Sequence, residues 1–381
     1  MNKKIISLIT LSAVSAMTLT ACPGGVDHSK PSEETIETTV TLPVEQTVET
    51  SVAAETREPC ETSVVETTES TPGPDVTAPF LLAITRDAYI TVGETFDINN
   101  FISYIDDRDP DVTLTVEGSV DTNVAGTYPL NFVMTDDAGN VATDSIIVNV
   151  VEPMDPSSTE PYSGEYTFTG TSFSDFMAAY PGENIRYGID VSHWQGSINF
   201  EAVKEAGCEF VIVRAGYSSD GQFHQDEYFT ANMEGAAAAG LPVGIYVYTS
   251  DNTPEDIDAL ADVVCELASD YNVALPICFD WESFSQFQQY HMSIENLNEL
   301  YRVFRDNVEE YGYTTILYGS KYYLDVIWDD EFENVWLAHY NSVTDYTGSY
   351  LMWQQSSSGQ IPGIDAYVDM DLYYGDLPAA S

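Results

Sequence analysis

The sequence predicts an α/β protein whose C-terminal half is an irregular TIM-like barrel of the (βα)5β3 type, preceded by a small all-β sandwich. Five short apolar runs between residues 187 and 318 are each followed by a segment with helical signals, the pattern of repeated βα units. Three further runs lie only about ten residues apart, whereas a parallel crossover needs a dozen or more. We therefore expect the last three strands to connect directly. Residues 76–152 carry β-rich runs separated by turn residues, which indicate the sandwich.

The N-terminus has the pattern of an export signal. Lys3 and Lys4 precede an apolar run, Ile5–Leu19, that is too short for a comfortable membrane span. The run ends in Leu19-Thr20-Ala21-Cys22, which resembles the lipobox of bacterial lipoproteins, in which the cysteine is lipidated and becomes the mature N-terminus. We therefore predict a lipoprotein signal peptide over residues 1–22 with lipid attachment at Cys22. The alternative is an ordinary signal peptide with a chance cysteine, and export follows from either.

Residues 23–75 are predicted to be a disordered linker. They consist largely of Thr, Glu, Val, Ser and Pro with almost no aromatic side chains. Such a segment cannot bury enough apolar surface to offset the entropy of ordering. Repelling carboxylates and prolines keep it extended, so it would hold the following domains away from a lipid anchor.

Residues 76–152 predict the sandwich. Its β-rich runs are Ala88–Val92, Val112–Val116, Tyr128–Val133 and Ser145–Val150, with turn residues between them. The sequences Gly126-Thr127-Tyr128 and Thr135–Asn140 resemble bacterial immunoglobulin-like (Ig-like) modules of surface proteins. The stretch contains no cysteine, so no disulfide crosses it. Two roles fit such a module: it binds the cell wall or another ligand, or it serves as a spacer. We favour the spacer.

Residues 153–186 form a second connector. It begins with the polar sequence Pro153-Met154-Asp155-Pro156. Four aromatic residues follow, too many for a free linker: Phe168, Phe173, Phe176 and Tyr180. We expect part of the connector to dock on one of the domains.

The barrel is predicted over residues 187–377. Helix boundaries between its first five strands carry capping signals: Asn199 begins a helix that Gly207 ends, and Thr253-Pro254 combines an N-cap with proline at the first helical position. A long amphipathic helix ends before Gly312. The three runs expected to lack intervening helices are 335–340, 350–355 and 366–373.

Two carboxyl groups stand at the end of the fourth run. Because side chains alternate along a strand, Asp280 and Glu282 share one face and Trp281 takes the other. Close like charges and partial burial separate two pKa values, so one acid can stay protonated near neutral pH while the other is ionised. Alone, the pair would be interpreted as a solvated acidic turn. Asp190 in the first strand and Asp369 in the last should, however, reach the same mouth, because catalytic groups of such barrels gather at the C-terminal strand ends.

Several motifs of the barrel occur together in a recognisable order. They are Tyr187–Gly196, Asp226 with Phe229 and Asn232, Phe279–Glu282, Val335–Tyr340, Trp353-Gln354 and Val368–Leu372. Together they closely resemble the Chalaropsis-type muramidases, glycoside hydrolase family twenty-five. The resemblance covers residues 187–377 and implies hydrolysis of the β-1,4 bond between N-acetylmuramic acid and N-acetylglucosamine in peptidoglycan.

The resemblance also implies roles for particular residues. Glu282 would be the general acid that protonates the leaving oxygen, and Asp280 its partner near the substrate acetamido group. Asp190 and Asp369 would complete the acidic cluster. Where the family usually reads Tyr-His-Phe in the third strand, this chain has Val247 in the middle; it should face outward, so only the packing should change. The candidate glycan contacts are Tyr246, Tyr248, Tyr340 and Gln354.

No cofactor and no metal are expected. The five histidines show no metal-ligand spacing, and the cysteines form no zinc or redox motif. Cys60 lies in the linker. We expect Cys208, Cys265 and Cys278 to be buried thiols. The sequence leaves undecided whether two of them form a disulfide.

Charge and targeting define the expected partners. With 62 Asp and Glu against 12 Lys and Arg, the formal charge is -50, which excludes nucleic acid as a partner. We expect an exported lipoprotein at the cell surface, in the cell-wall zone, that contacts the membrane through Cys22 and acts on peptidoglycan. Two alternatives are a wall-binding protein that kept the barrel but lost turnover, and a barrel hydrolase of another amino-sugar polymer. Retention of all four carboxyls favours the enzyme, since binding alone needs no acid at Glu282.

Overall fold

The computed structural model describes residues 73–153 and 170–377, and the structural statements below refer to these residues. The predicted signal peptide, the lipid attachment at Cys22, nearly all of the predicted linker and Phe168 lie outside them. No helix within the described ranges has the length and apolar character needed to cross a lipid bilayer.

The N-terminal module is built from strands around its own core. Its strands are β1 (Phe80–Ile84), β2 (Asp87–Thr91), β3 (Ile102–Ile105), β4 (Thr113–Glu117), β5 (Gly126–Thr135) and β6 (Val141–Val151). One sheet has the order β2-β6-β5-β4, and β1 pairs with β3 in a second sheet. Alternate residues of β5 and β6 are buried, among them Leu130, Phe132, Ile146 and Val148. The predicted all-β module is confirmed.

The C-terminal domain is a closed barrel of eight strands. In chain order the strands of this domain are β7 (Thr171–Ser172), β8 (Ile185–Val191), β9 (Phe210–Ser219), β10 (Gln222–Gln225), β11 (Val243–Thr249), β12 (Val273–Trp281), β13 (Thr315–Ser320), β14 (Val335–Ala338), β15 (Met352–Gln360) and β16 (Val368–Tyr374). The barrel order is β9-β11-β12-β13-β14-β15-β16-β8, and pairing of β8 with β9 closes the ring. The short strands β7 and β10 are appended to β15 and β9. The predicted barrel is confirmed.

The closing third of the barrel mixes strand directions. No helix separates β14, β15 and β16 within the described chain, as the spacing predicted. Strand β15 is parallel to β14, and β16 is antiparallel to β15 and to β8. The apolar pattern could not reveal these directions, because side chains alternate in the same way whichever way a strand runs.

Helices cover the outside of the barrel. They are α1 (Phe173–Ala179), α2 (Phe200–Glu205), α3 (Phe229–Ala238), α4 (Pro254–Ser269), α5 (Phe287–Tyr290), α6 (Ile294–Glu310) and α7 (Lys321–Val326). The side chains of Asn199 and Thr253 accept backbone N–H groups in the first turns of α2 and α4, at 3.2 Å in each case. Gly312 has φ +88°, which residues with a side chain rarely adopt, and follows the end of α6.

The barrel strands bury both of their faces. Outward residues pack against the helices in one large cluster, for example Ile189, Val213, Val247 and Phe279. Inward residues form a second cluster inside the ring, for example Phe210, Ile212, Cys278 and Trp336. Val247 therefore faces outward as predicted, and its departure from the family pattern changes outer packing without altering the mouth.

The second connector docks on the barrel, as its aromatic residues predicted. Phe173 and Phe176 on α1 are each 1% exposed and belong to the outer cluster. The Tyr180 hydroxyl donates a hydrogen bond to the carbonyl of Ser342 at 3.1 Å. The hydroxyl of Tyr187 in turn donates to the Tyr180 carbonyl at 2.7 Å. These contacts fix the entry to β8.

The module also contacts the barrel. Leu82 and Ile105 of the module belong to the same apolar cluster as the outward face of the barrel. The Ser103 hydroxyl donates to the carbonyl of Phe284 at 3.1 Å, and the Tyr322 hydroxyl donates to the carbonyl of Leu82 at 2.9 Å. The module therefore packs against the barrel, and its role as a spacer stays a prediction.

Candidate active site

Strand β12 delivers the two carboxyls that the sequence placed on one face. Asp280 is 7% exposed and borders Tyr248 of β11, whereas the side chain of Glu282, just past the end of β12, is exposed. Trp281 between them is fully buried in the outer cluster. The predicted alternation therefore holds. It leaves one acid deep in the mouth and the other at its opening.

Trp281 fixes the strand end on which both acids lie. Its indole Nε1 donates to the carbonyl of Asp251 at 3.0 Å. The rings of Phe284 and Phe287 pack on it at centroid distances of 5.3 and 5.4 Å. A buried aromatic side chain with its polar atom satisfied has little freedom to move. The backbone that carries Asp280 and Glu282 is therefore held from the opposite face.

The environment raises the pKa of both acids. Burial, followed by the charges of Glu282 and Asp190, raises the pKa of Asp280 well above its usual value. Desolvation by the surrounding protein raises the pKa of Glu282, although its side chain still reaches solvent. Two neighbouring acids with raised pKa values can share one proton near neutral pH. The pair can thus offer a proton at a position open to solvent.

Asp190 and Asp369 come from neighbouring strands. They are directly paired in the register of β8 and β16, so their side chains share a face. Burial and the charge of Asp371 raise the pKa of Asp190, and burial and the charge of Asp190 raise the pKa of Asp369 to about 8. The Trp336 indole donates to Asp371 Oδ1 at 2.8 Å. Asp371, two residues after Asp369 on the same face and fully buried, was left out of the predicted site.

Gln354 connects the tyrosines of the mouth to the carboxyl group of Asp190. Its amide Nε2 donates to Asp190 Oδ2 at 2.8 Å. Its Oε1 accepts from the hydroxyls of Tyr318 and Tyr340 at 2.9 and 2.8 Å. With 5% of its surface exposed, Gln354 is a buried link and not an open contact surface. Its position therefore suggests that it orients Asp190, a role the sequence did not predict.

The predicted tyrosine contacts lie in different surroundings. Tyr246 packs edge-on to Trp336 at 6.1 Å inside the barrel, and Tyr248 lies beside Asp280 in the register of β11 and β12. Both are partly exposed. Tyr340 is 57% exposed, although its hydroxyl is bound to Gln354. Of the three rings, Tyr340 is the most open to a ligand.

A second polar group stands beside the acids. Arg214 Nε donates to Asp226 Oδ2 at 2.8 Å, and the backbone N–H of His193 donates to the same oxygen at 3.1 Å. Burial raises the pKa of Asp226. Hydrogen bonds from Tyr228, His193 and Arg214 outweigh this effect and bring the pKa below its ordinary value. The positive charge of Arg214 offsets a small part of the rise in the pKa of Asp280, which burial and the neighbouring carboxyl groups cause. The inward position of Arg214 on β9 was the signal available in the sequence.

Trp194 is a further aromatic residue at this end of the barrel. It follows β8, is 73% exposed, and lies over the ring of His193 at 4.3 Å. It adds a flat apolar surface beside the acidic mouth that the sequence analysis did not select.

The three cysteines of the barrel are free thiols. Cys208, Cys265 and Cys278 are all buried, and none of them forms a disulfide. Burial raises the pKa of Cys208 and of Cys265 to about 12, so both stay protonated near neutral pH. The disulfide left open by the sequence does not form among them.

The fold and the site define a class of protein, an α/β barrel with a cluster of carboxyl groups at the C-terminal ends of its strands. Within that class, residues 189–364 match the model of the glycosyl hydrolases family 25. Residues 82–150 match the bacterial surface protein Ig-like domain. The barrel and the module thus each match one of the two families that the motifs had indicated.

Curated relatives carry names of the same kind. The autolytic lysozyme of Clostridium acetobutylicum is 28% identical over 190 residues, which is 49% of this chain and 55% of that protein. Lysozyme M1 of Streptomyces globisporus is 28% identical over 235 residues, 55% of this chain and 78% of that protein. The chain thus spans 55% of the length of the first relative.

Solved structures to which the chain shows similarity include two bacterial proteins. The modular autolysin LytC of Streptococcus pneumoniae, in complex with a synthetic peptidoglycan ligand, has a TM-score of 0.46 and 20% identity, covering 64% of this chain and 56% of that one. A family 25 glycosyl hydrolase of Bacillus anthracis has a TM-score of 0.43 and 23% identity, covering 52% and 93%.

The raised pKa values predict that stability depends on pH. Because the pKa of Asp369 is about 8 in the folded protein and ~4 in an unfolded chain, the folded state binds one more proton between these values. Its stabilising effect is complete below about pH 4 and is lost as the pH rises through about 8. We expect the free energy of unfolding, measured in urea, to fall from about pH 5 to about pH 8. The one extra proton that the folded state binds sets the slope at up to ~1.4 kcal/mol per pH unit.

The variant Asp369→Asn cannot release this proton, so it should flatten the fall. Asp365→Asn removes an exposed acid from the preceding loop and should keep the wild-type slope. Equal slopes for wild type and Asp369→Asn would show that Asp369 does not hold the proton.

Proposed function

We propose that the protein is an exported, lipid-anchored muramidase that hydrolyses the β-1,4 bond between N-acetylmuramic acid and N-acetylglucosamine in peptidoglycan. The observation that carries this proposal is the pair Asp280 and Glu282 at the barrel mouth, both with raised pKa values. Glycoside hydrolysis needs one acid to protonate the leaving oxygen and a second group to stabilise the positive charge on the sugar. The lysozyme names of the two curated relatives point to the same substrate.

Glu282 is the general acid in this mechanism. It is the exposed member of the pair, so a glycosidic oxygen can reach it. Its raised pKa keeps a proton available near neutral pH, which a general acid requires. Asp280, 7% exposed, is too deep to approach the leaving oxygen as closely.

Asp280 orients the substrate acetamido group. Its Oδ1 is buried and accepts no hydrogen bond from the described residues. An amide N–H from the 2-acetamido group would supply that bond, and it would turn the acetamido oxygen towards the anomeric carbon. The substrate would then provide its own nucleophile, as in substrate-assisted families. The mechanism we propose is therefore retaining.

The other mouth residues position these groups and bind the glycan. Asp190 and Asp369 set the charge and the protonation of the carboxyl cluster next to the catalytic pair. Gln354 orients Asp190 through its 2.8 Å hydrogen bond. Aromatic rings at the mouth offer flat surfaces for sugar faces. The candidates for this contact are Tyr246, Tyr248, Tyr340 and Trp194.

Loss of the acid should remove turnover while leaving the fold. Glu282→Gln keeps the size of the side chain but has no proton to give, so release of reducing ends from purified peptidoglycan should fall at least ~100-fold. Glu310→Gln, at the exposed end of α6, is the matched control and should keep the wild-type rate. More than about a tenth of the wild-type rate in Glu282→Gln would exclude it as the acid.

The same assay separates the alternatives. Wild-type protein should digest peptidoglycan and leave chitin intact, and Glu282→Gln should still sediment with peptidoglycan. Binding without turnover by the wild type would instead favour a wall-binding surface lipoprotein. Digestion of chitin would favour a hydrolase of another amino-sugar polymer.

Retention predicts the configuration of the first product. Proton NMR early in the digest should show the β-anomer, because two displacements at the anomeric carbon restore its configuration. Substrates that lack the N-acetyl group on the cleaved muramic residue should react poorly. An initial α-anomer would demonstrate inversion and would make Asp280, Asp190 or Asp369 the base that activates a water.

Lipid attachment at Cys22 predicts how the protein partitions. The native protein should enter the detergent phase in a phase separation, and Cys22→Ser should be released or left unprocessed. Cys60→Ser is a matched control outside the signal and should partition like the wild type. Unmodified Cys22 on the mature protein, detected by mass spectrometry, would contradict the anchor.

A further inference from the structure

Four aspartates from separate segments meet at one edge of the Ig-like module. Asp75 precedes β1, Asp106 and Asp109 lie between β3 and β4, and Asp136 follows β5. One carboxylate oxygen from each lies within 4.8 Å of the others. Charges of one sign this close repel strongly unless protons or a cation reduce the repulsion.

Basic side chains do not neutralise these four carboxylates. Within residues 73–153 and 170–377, none of the four forms an ion pair with Lys, Arg or His. Arg108 lies in the same loop, but its Nη1 donates to the carbonyl of Gly73 at 2.9 Å and its Nε is 4.0 Å from Asp107. The charge of the cluster is therefore left for a ligand to balance.

Asp106 carries a buried oxygen without a partner. The residue is 0% exposed, and its Oδ1 accepts the backbone N–H groups of Arg108 and Asp109, each at 2.9 Å. Its Oδ2 has no hydrogen-bond partner in the described parts of the chain. In Asp75, Oδ1 accepts the N–H of Thr77 at 2.9 Å, and the buried Oδ2 likewise has none there. Buried polar atoms are rarely left unpaired, so these two oxygens indicate a ligand.

We propose that Asp75, Asp106, Asp109 and Asp136 bind a calcium ion. Calcium takes oxygen ligands at 2.3–2.6 Å, so oxygens on opposite sides of the ion are ~5 Å apart, and four oxygens that all lie within 4.8 Å of one another can share one ion. Magnesium requires a tighter octahedron at about 2.0–2.1 Å and keeps more of its water. Calcium also accepts irregular sets of 6–8 ligands, so water or backbone carbonyls can complete the shell.

The ion would tie together parts of the module that are far apart in sequence. Asp109 Oδ2 already accepts the N–H groups of Asp137 and Ala138, which joins its loop to the turn after β5. Asp75 lies at the C-terminal end of the predicted linker and would be held at the same point. A calcium ion here would thus fasten the start of the folded module to two of its loops.

The same loop meets the barrel in the segment that follows the catalytic pair in sequence. The carbonyls of Asp106 and Asp107 accept the N–H groups of Ile294 and Glu295, in the first turn of α6, at 3.1 and 3.0 Å. The N–H of Val112 donates to the Oε1 of Gln288 at 3.0 Å. These barrel residues follow Glu282 in the chain. Calcium would therefore stiffen the loop that supports the segment leading away from the general acid.

Titration of the full chain with calcium tests the site directly. After removal of cations with a chelator, calorimetry with calcium chloride should show one site with a dissociation constant of ~10⁻³ M or tighter, the range of extracellular modules and sensors. Added calcium should raise the midpoint of thermal unfolding, since it binds the folded state. Absence of both signals would overturn the proposal, and tighter binding of magnesium chloride would overturn the assignment to calcium.

Two matched variants locate the ion. Asp136→Asn removes a ligand charge and should weaken calcium binding at least ~10-fold, since affinity follows the number of charged ligands. Asp137→Asn makes the same charge change one residue later, outside the cluster, and should bind within about threefold of the wild type. Equal affinity of the two variants would place the ion elsewhere. The wild-type titration stands even if a variant does not fold.

Hydrogen exchange tests the connection to the barrel. The amides of Ile294 and Glu295 should exchange more slowly in calcium than in chelator, because their acceptors lie in the calcium loop. Amides of α3, which packs on β9 and β11, should not change. If calcium binds but Ile294 and Glu295 exchange equally fast in both conditions, the ion does not act on the barrel.

Discussion

The structure depends on keeping several carboxyl groups close together in a small, poorly solvated volume. Asp190, Asp280, Asp369 and Asp371 all reach the barrel interior, where burial and the charge of a neighbouring carboxyl group raise the pKa of each. Such a group is tolerated only if some members keep protons and the others receive hydrogen bonds or a counter-charge. The donors in this barrel include Gln354 and Trp336, and Arg214 supplies the positive charge.

The barrel meets this requirement through the two faces of its strands. Inward positions carry the carboxyls and their donors, and outward positions carry apolar side chains that pack on helices. Trp281 shows the connection, because its outward packing fixes the strand end that presents Asp280 and Glu282 inward. A cavity on the outside would therefore disturb the geometry of the acids without touching them.

The Ig-like module presents a second concentration of carboxyls under different conditions. At the barrel mouth the acids come from a rigid ring of strands, where Gln354 donates to Asp190, Trp336 donates to Asp371, and Arg214 supplies a positive charge. At the edge of the module they come from loops, and Oδ2 of Asp106 and of Asp75 has no donor within the described chain, although Oδ1 of each accepts a backbone N–H group. The first arrangement favours shared protons, whereas the second favours a bound cation, since a cation can balance several charges at once. Contacts from the module to Phe284 and Gln288 bring the two regions into one mechanical unit.

The sequence alone determined the strand and helix pattern of the barrel, the all-β module and the face shared by Asp280 and Glu282. These features follow from local periodicity, capping and alternation, which any short segment displays by itself. Tertiary structure decided the direction of β15 and β16, the role of Gln354 as a link to Asp190, and the inclusion of Asp371 and Arg214. It also decided that Asp75, Asp106, Asp109 and Asp136 meet. Each of these depends on which distant segments become neighbours, and a one-dimensional pattern carries no information about pairing across the fold.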